Sequence, residues 1–427
     1  MKTKMKFLTV VAVLIAGFTS CRDREDLSKN DEGEVRGDET VVQLNIADGV
    51  IRGYGAGSNV QAPKADENKL AATIDIYVFD ANGQFEYKAV GVSPSQAFQI
   101  TAGKKYFYIF SNAPKNVKAD IGDFRDKFEK QGFKDAFSAT RPDIATANAF
   151  FIGTLWGEQV QVLGNGTKTK PEVIKLKVGR IAAQVNLASV VTTASGVIKG
   201  EFSSPAYRLR SVPDSFYLVG QWKNVMPPAM NSDVTSAAHE EPSGTAAAPN
   251  KRFIDYKTWN APNTPFYTVE NTTKPDAKGM VFFGNTTYMQ LRVVYTPDAS
   301  TVYDGVTGNK AASGIAKGST FWTGTVNNET RIYNGNPTNI SGVTDPKEYS
   351  NGEMYYSFAI KDATERVSER VYSVLRNHYY EVTVSSIANL GENTDKVDPE
   401  KPVNDLVDVK VEIEVLPWSK ILQDVSL

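Results

Sequence analysis

Apolar and polar positions alternate along most of the chain. Val42, Leu44 and Ile46 fall on one side of an extended segment, while Val41, Gln43 and Asn45 fall on the other. That is the period of a half-buried strand. Residues 73–79 read as the next strand and stop at Asp80-Ala81-Asn82-Gly83. Asn-Gly favours a tight hairpin, so residues 85–90 are predicted to return beside it. Residues 105–110 carry aromatic and aliphatic side chains on both faces, which predicts a strand covered on both sides. Residues 120–137 switch to a helical period. There Ile121, Phe124 and Phe128 share a face, Asp120 can cap the start, and Asp123 and Lys127 form a four-residue ion pair. The pattern predicts one short helix lying on a sheet with its phenylalanine stripe inward.

A stretch rich in Gly, Asn, Thr and Lys at 164–171 marks a break between a first domain, 40–170, and a second, 171–427. The second opens with the alternating run IKLKVGRIAAQVNLASV. It also contains two long segments, 226–250 and 296–352, expected to be irregular loops on a rigid all-β scaffold. The sequons at Asn271, Asn328 and Asn339 belong to the composition of such loops. Near the end, Tyr380, Val382 and Val384 alternate with Glu381 and Thr383. A polar spacer, ENTDKVDPEKPVND, leads to LVDVKVEIEVLPW, where Val409, Val411, Ile413 and Val415 share one face and Lys410, Glu412 and Glu414 the other. The expectation is a long strand on a flexible leash.

Composition narrows the chemistry. The 427 residues carry a net charge of −2, which offers nucleic acid no electrostatic footprint. With 32 Gly, 20 Pro and 11% aromatic residues, many short strands joined by turns are expected, an all-β fold of sandwich type. Only His239, His378 and Cys21 represent their residue types, so no disulfide can close within the chain and no Cys/His zinc set can be assembled. No metal or other cofactor is expected.

That single cysteine stands in a telling place. Lys2, Lys4 and Lys6 precede an apolar stretch from Phe7 to Phe18 that is too short for a permanent anchor, so residues 1–20 read as a signal peptide. Cys21 follows directly and resembles the lipobox cysteine of bacterial lipoproteins, whose thiol receives a diacylglyceryl group. Lipid on the precursor, palmitate included, would tie it to the outer membrane. Residues 21–39 are highly charged and lack an apolar period, as a disordered tether does. Acidic residues just after the cysteine resemble the surface-export signal of Bacteroidetes lipoproteins. Arg36-Gly37-Asp38 is a chance tripeptide.

No catalytic signature emerges, and the chain reads as a non-enzyme. Gly53-Tyr54-Gly55-Ala56-Gly57 follows a strand as a dinucleotide loop does, but no helix period follows to receive a pyrophosphate. There is no G-x-S-x-G elbow and no phosphate loop. His378 is expected at the rim of a strand. The rival from another class is a surface lipoprotein that binds or degrades carbohydrate, with Trp222, Trp259 and Trp322 as its sugar platform.

Taken together, the lipobox at Cys21, the strand TVVQLNI followed by IRGYGAG, the run LKVGRIAAQVNL, and RNHYYEVTVSSIANLG with a closing VEIEVLPW resemble the fimbrillins. These are the type V pilins of Bacteroidales, and the likeness is greatest to the shaft subunits of major and minor fimbriae. The resemblance spans nearly the whole chain. It implies two transthyretin-like β-sandwich domains, with the short helix on the first, and a structural subunit of a cell-surface fimbrium serving adhesion or biofilm formation. It also implies maturation by an arginine- or trypsin-type protease after an arginine that follows the first strand, which maps onto Arg52-Gly53. Removing that strand would open a groove, to be filled by the C-terminal strand of an identical or homologous subunit. Val409, Val411, Ile413, Val415 and Trp418 would form that donor. Arg36 is the competing cut, but cleavage there would leave the first strand in place.

Overall fold

The alternating segments do form strands. The computed structural model describes residues 37–48, 71–113, 124–129, 132–134, 145–146, 149–155, 157, 159–196, 198–213, 215–220, 253–271, 280–362, 371–403 and 409–417. The molecule is nearly all β. Its first unit contains β1 (Glu39–Asp48), β2 (Ile74–Asp80), β3 (Phe85–Val92), β4 (Phe98–Thr101), β5 (Gly103–Ser111), β6 (Ile152–Gly153), β7 (Gln159–Val162) and β8 (Glu172–Arg180). They form one eight-stranded sheet in the order β3-β2-β5-β6-β8-β1-β4, with β7 also paired to β5. The predicted β2–β3 hairpin is present. The Asp80 carboxylate accepts from the backbone N–H of Asn82 and Gln84, and Gly83 takes φ +80°.

One helix turn, α1 (Arg125–Glu129), closes the first core. Phe128 is buried among Tyr77, Phe79, Tyr108 and Phe110. Phe124 departs from the predicted stripe. It is 58% exposed and bridges Gln84 as extended chain, so the helix begins after it. Of the two described stripe residues Phe128 alone finds an apolar cage, and burial rather than periodicity decides which ring turns inward. Ile121, Asp120 and Asp123 lie outside the described residues.

The second unit is built from β9 (Ala183–Val190), β10 (Gly200–Arg210), β11 (Phe266–Thr268), β12 (Tyr288–Pro297), β13 (Phe321–Val326), β14 (Glu329–Tyr333), β15 (Thr344–Tyr349), β16 (Glu353–Ala359), β17 (His378–Ile387) and β18 (Val409–Pro417). A four-stranded sheet, β11-β9-β17-β18, faces a three-stranded sheet, β10-β12-β16. Leu187, Tyr380 and Val382 from the first meet Leu209, Leu291 and Phe358 from the second in one core.

Three expectations change here. The break expected at 170/171 falls one strand early: β8 lies parallel to β1 in the first sheet, and the chain changes sheets at Ile181-Ala182. Residues 164–171 are instead a turn between β7 and β8, closed by reciprocal backbone bonds between Thr167 and Lys170. Next, residues 296–352 are not irregular. They hold a small sheet in which Val302–Tyr303 pairs β14, β14 pairs β13, and β13 pairs β15. Its β13–β14 hairpin turns on Asn327 and Asn328, both at positive φ, a backbone region that asparagine tolerates better than most residues. Finally, Asn271 does not belong to an exposed loop, since it bridges Val374. Its side chain is buried and donates to Thr287 Oγ1 at 2.8 Å.

The two units share a polar junction. Tyr267, Val269 and Tyr379 of the second pack into the first core. Beneath them the Arg376 guanidinium pairs with Glu270 at 2.7 Å and donates to the carbonyls of Tyr217 and Leu218. His378 is buried here rather than at a rim, with Nδ1 2.8 Å from the Arg376 carbonyl and Nε2 3.6 Å from Asp362.

Candidate functional site at the terminal strands

β1 has a strand partner on each edge, one for each part of its length, with Val42 in both ladders. Residues 42–48 pair in parallel with 172–178 of β8, and residues 39–42 pair antiparallel with 98–101 of β4. Val42, Leu44 and Ile46 are 0%, 3% and 5% exposed. A loop seals the N-terminal end: Gly166 N–H donates to Thr40 Oγ1 at 2.9 Å, and Val41 N–H donates to the Gly166 carbonyl at 3.3 Å. A Cβ on Gly166 would sit 1.9 Å from the Val41 carbonyl oxygen, so the loop can approach this closely only as glycine. Nothing in the sequence around Gly166 distinguishes it from other loop glycines, because the strand it touches lies far away along the chain.

Among the described residues, β18 is held along one edge only. It runs antiparallel to β17, with His378 opposite Pro417 and Ile387 opposite Val409, and it ends the sheet order. Val411 and Ile413 are half-buried against the second core, whereas Val382 and Val384 of β17 are fully buried in it. Val409 and Val415 take their ladder places opposite Ile387 and Tyr380. On the outer face Glu412 is exposed, 3.1 Å from Lys410 Nζ, and that hydrogen bond holds its carboxyl below the usual range. Cys21, Arg52, Gly53 and Trp418, the remaining sequence-derived site residues, lie outside the described residues.

The spacer before β18 is no free leash. The Glu392 backbone exchanges two bonds with Tyr355, and the Asp395 carboxylate accepts from Arg208 at 2.7 Å. Phe283 and Gly284 donate to the carbonyls of Lys401 and Pro399, and Val403 is buried with Val281 and Phe283. Through Val403 this segment is not helical, and its acidic side chain and main chain find partners on β10, on β16 and on the loop before β12.

Trp259 is half-buried, with the Arg208 and Arg292 guanidiniums 4.3 and 4.9 Å from its ring centroid. Trp322 lies half-buried in β13, and Trp222 is outside the described residues. Among the described residues, no three His, Cys, Asp or Glu side chains gather as a metal site would require, and no helix is long and apolar enough to cross a membrane.

No curated protein matches the chain. Solved structures with a similar course include FimA, a fimbrillin from Porphyromonas gingivalis W83, at 14% identity and TM-score 0.48, covering 90% of this chain and 98% of that one. A candidate cell adhesion protein from Parabacteroides distasonis matches at 15% identity and TM-score 0.46, over 90% and 100% of the two chains. The tip fimbrial protein Mfa3 from Porphyromonas gingivalis, truncated at its C-terminus, matches at 12% and 0.40, over 89% and 100%. In sequence, residues 347–424 match the family described as major fimbrial subunit protein type IV, fimbrillin, C-terminal. The chain is thus similar to the fimbrillins, and the matched stretch is the one that carries β16, β17, the anchored spacer and β18.

Proposed function

We propose that this protein is a structural subunit of a cell-surface fimbrium. It is exported as a lipoprotein acylated at Cys21, cut after Arg52, and polymerised when β18 of one copy replaces β1 of the next. The observation that carries this reading is the setting of β1. It is the first strand among the described residues, it lies in the sheet between β8 and β4, and Arg52 follows its last residue within one short segment. After cleavage there, β1 is held to the rest of the sandwich by its two ladders, its core contacts and the bonds to Gly166. Its departure leaves an apolar slot between two strand edges, which an incoming strand can fill with main-chain bonds and alternate side chains. Until then β1 keeps those edges covered, as a soluble precursor needs.

β18 suits the donor role because its four aliphatics repeat the two-residue period of Val42, Leu44 and Ile46. At about 1.5–3 kcal/mol for each side chain fully buried, the new docking outweighs a half-buried position on its own sheet. The experiment cuts the full chain with an arginine-specific protease and follows polymer formation by electrophoresis without boiling. The intact protein gives a ladder starting at Gly53. A chain ending at Asp405, or one carrying Val411→Asp with Ile413→Asp, stays folded and monomeric. Fibres from the truncated chain would place the donor elsewhere.

A further inference from the structure

We infer that a second copy of this chain is recognised by charge as well as by shape, with Lys175 and Lys177 of one subunit receiving Glu412 and Glu414 of the next. This rests on the strand replacement proposed above and names what sets its register.

The inference starts from the outer face of β8. Lys175 and Lys177 are exposed there, and β1 presents Asn45 and Ala47 opposite them. The resident strand therefore offers no carboxylate to either lysine, and neither has an ion-pair partner among the described residues. Suppose β18 enters in the direction of β1, with Val409, Val411 and Ile413 at the places of Val42, Leu44 and Ile46. Glu412 then takes the place of Asn45, opposite Lys175. Glu414 takes the place of Ala47, opposite Lys177.

Other alignments do worse. A slip of one residue turns every aliphatic outward. A slip of two in one direction sets Lys410 opposite Lys175, like charge to like. A slip of two in the other leaves Lys177 facing Leu416. Run in reverse, the strand matches both lysines only with Pro417 at the place of Val42. There its missing N–H interrupts the ladder. A single register thus seats all the aliphatics and pairs both lysines.

The strand's own sheet gives the opposite result. In the closed molecule Glu414 stands in register opposite Glu381, and Glu412 opposite Thr383. Like charges directly opposite across a ladder are unfavourable, and opposite charges are favourable. Glu414 therefore opposes a like charge in the closed arrangement, Glu412 faces an uncharged residue there, and both meet lysines in the exchanged one.

The test uses the full chain cut with an arginine-specific protease at low salt. Lys175→Glu with Lys177→Glu makes one variant, and Glu412→Lys with Glu414→Lys the other. Each alone is expected to polymerise about tenfold more slowly than wild type, given two reversed cross-strand pairs. Mixed one to one, they are expected to recover the wild-type rate, because each donor then meets an acceptor of opposite charge. High salt should narrow the gap. Unchanged melting temperatures of the uncut variants control for folding, and the milder Lys175→Gln with Lys177→Gln should fall between. Wild-type rates in the separate variants, or a mixture as slow as they are, would overturn the inference while leaving strand replacement intact. A wild-type chain that stays monomeric after cleavage would instead remove strand replacement, and the charge pairing with it.

Discussion

β1 and β18 are alike in sequence and differ in what surrounds them. Both alternate aliphatic with polar side chains, and both lie near an end of the chain. β1 has a neighbour on each side and inward residues at most 5% exposed. β18 has one neighbour among the described residues, and its Val411 and Ile413 remain half-buried. The difference teaches that alternation specifies a strand but not its permanence. Permanence follows from the number of paired edges and the depth of burial. A strand with a partner on each edge must break two ladders to leave, whereas an edge strand gives up a single ladder.

Substitution should bring out this contrast in the uncut protein. Leu44→Ala deletes fully buried side-chain atoms and leaves a cavity, so chemical denaturation should report a loss of about 2–5 kcal/mol. Ile413→Ala removes atoms from a half-buried site, and the loss there should be about 1 kcal/mol by transfer of the same groups. Equal losses at the two positions would break the comparison. A smaller effect is expected at the loop that seals β1. Gly166→Ala forces a methyl group against the Val41 carbonyl, so the backbone must shift at a cost of about 1–3 kcal/mol. Hydrogen exchange should then accelerate across β1 and leave β18 unchanged.

The smallest effect concerns the strap that leads to β18. Tyr349 donates to the Gly391 carbonyl at 3.0 Å, and burial, with Glu392 nearby, pushes its phenol up to about 12. The unfolded phenol loses its proton near pH 10 while the folded one keeps it, so the unfolded state binds fewer protons above that point. The stabilisation from this group is complete below about pH 10 and is lost as pH rises through about 12. A melting-temperature series should fall over that window, and Tyr349→Phe should flatten part of the fall. An unaltered slope would separate the strap from the pH response.

Much of this architecture was legible because alternation is local. The two-residue period marks β1, β2, β5, β17 and β18 without reference to any other part of the chain, and Asn82-Gly83 marks its hairpin. Of the candidate site, the sequence showed which strands have the right pattern. It also showed that Val409, Val411, Ile413 and Val415 share a period, as Val42, Leu44 and Ile46 do. The short strands of the 296–352 segment were harder to see. Each spans few residues, and their Gly and Thr content resembles a loop.

What the sequence by itself determined is therefore the set of strand-forming segments, the near-absence of helix, and the scarcity of Cys and His that excludes a disulfide within the chain. Tertiary structure alone decided that β8 belongs beside β1, that Phe128 and not Phe124 turns inward, and that Asp395 anchors the spacer on Arg208. It also decided that Lys175 and Lys177 stand opposite uncharged residues. The reason is common to all four. Parallel pairing, ring burial and long-range ion pairs join residues far apart in sequence, so no local period encodes them, and only the packing of the whole chain selects among the partners available.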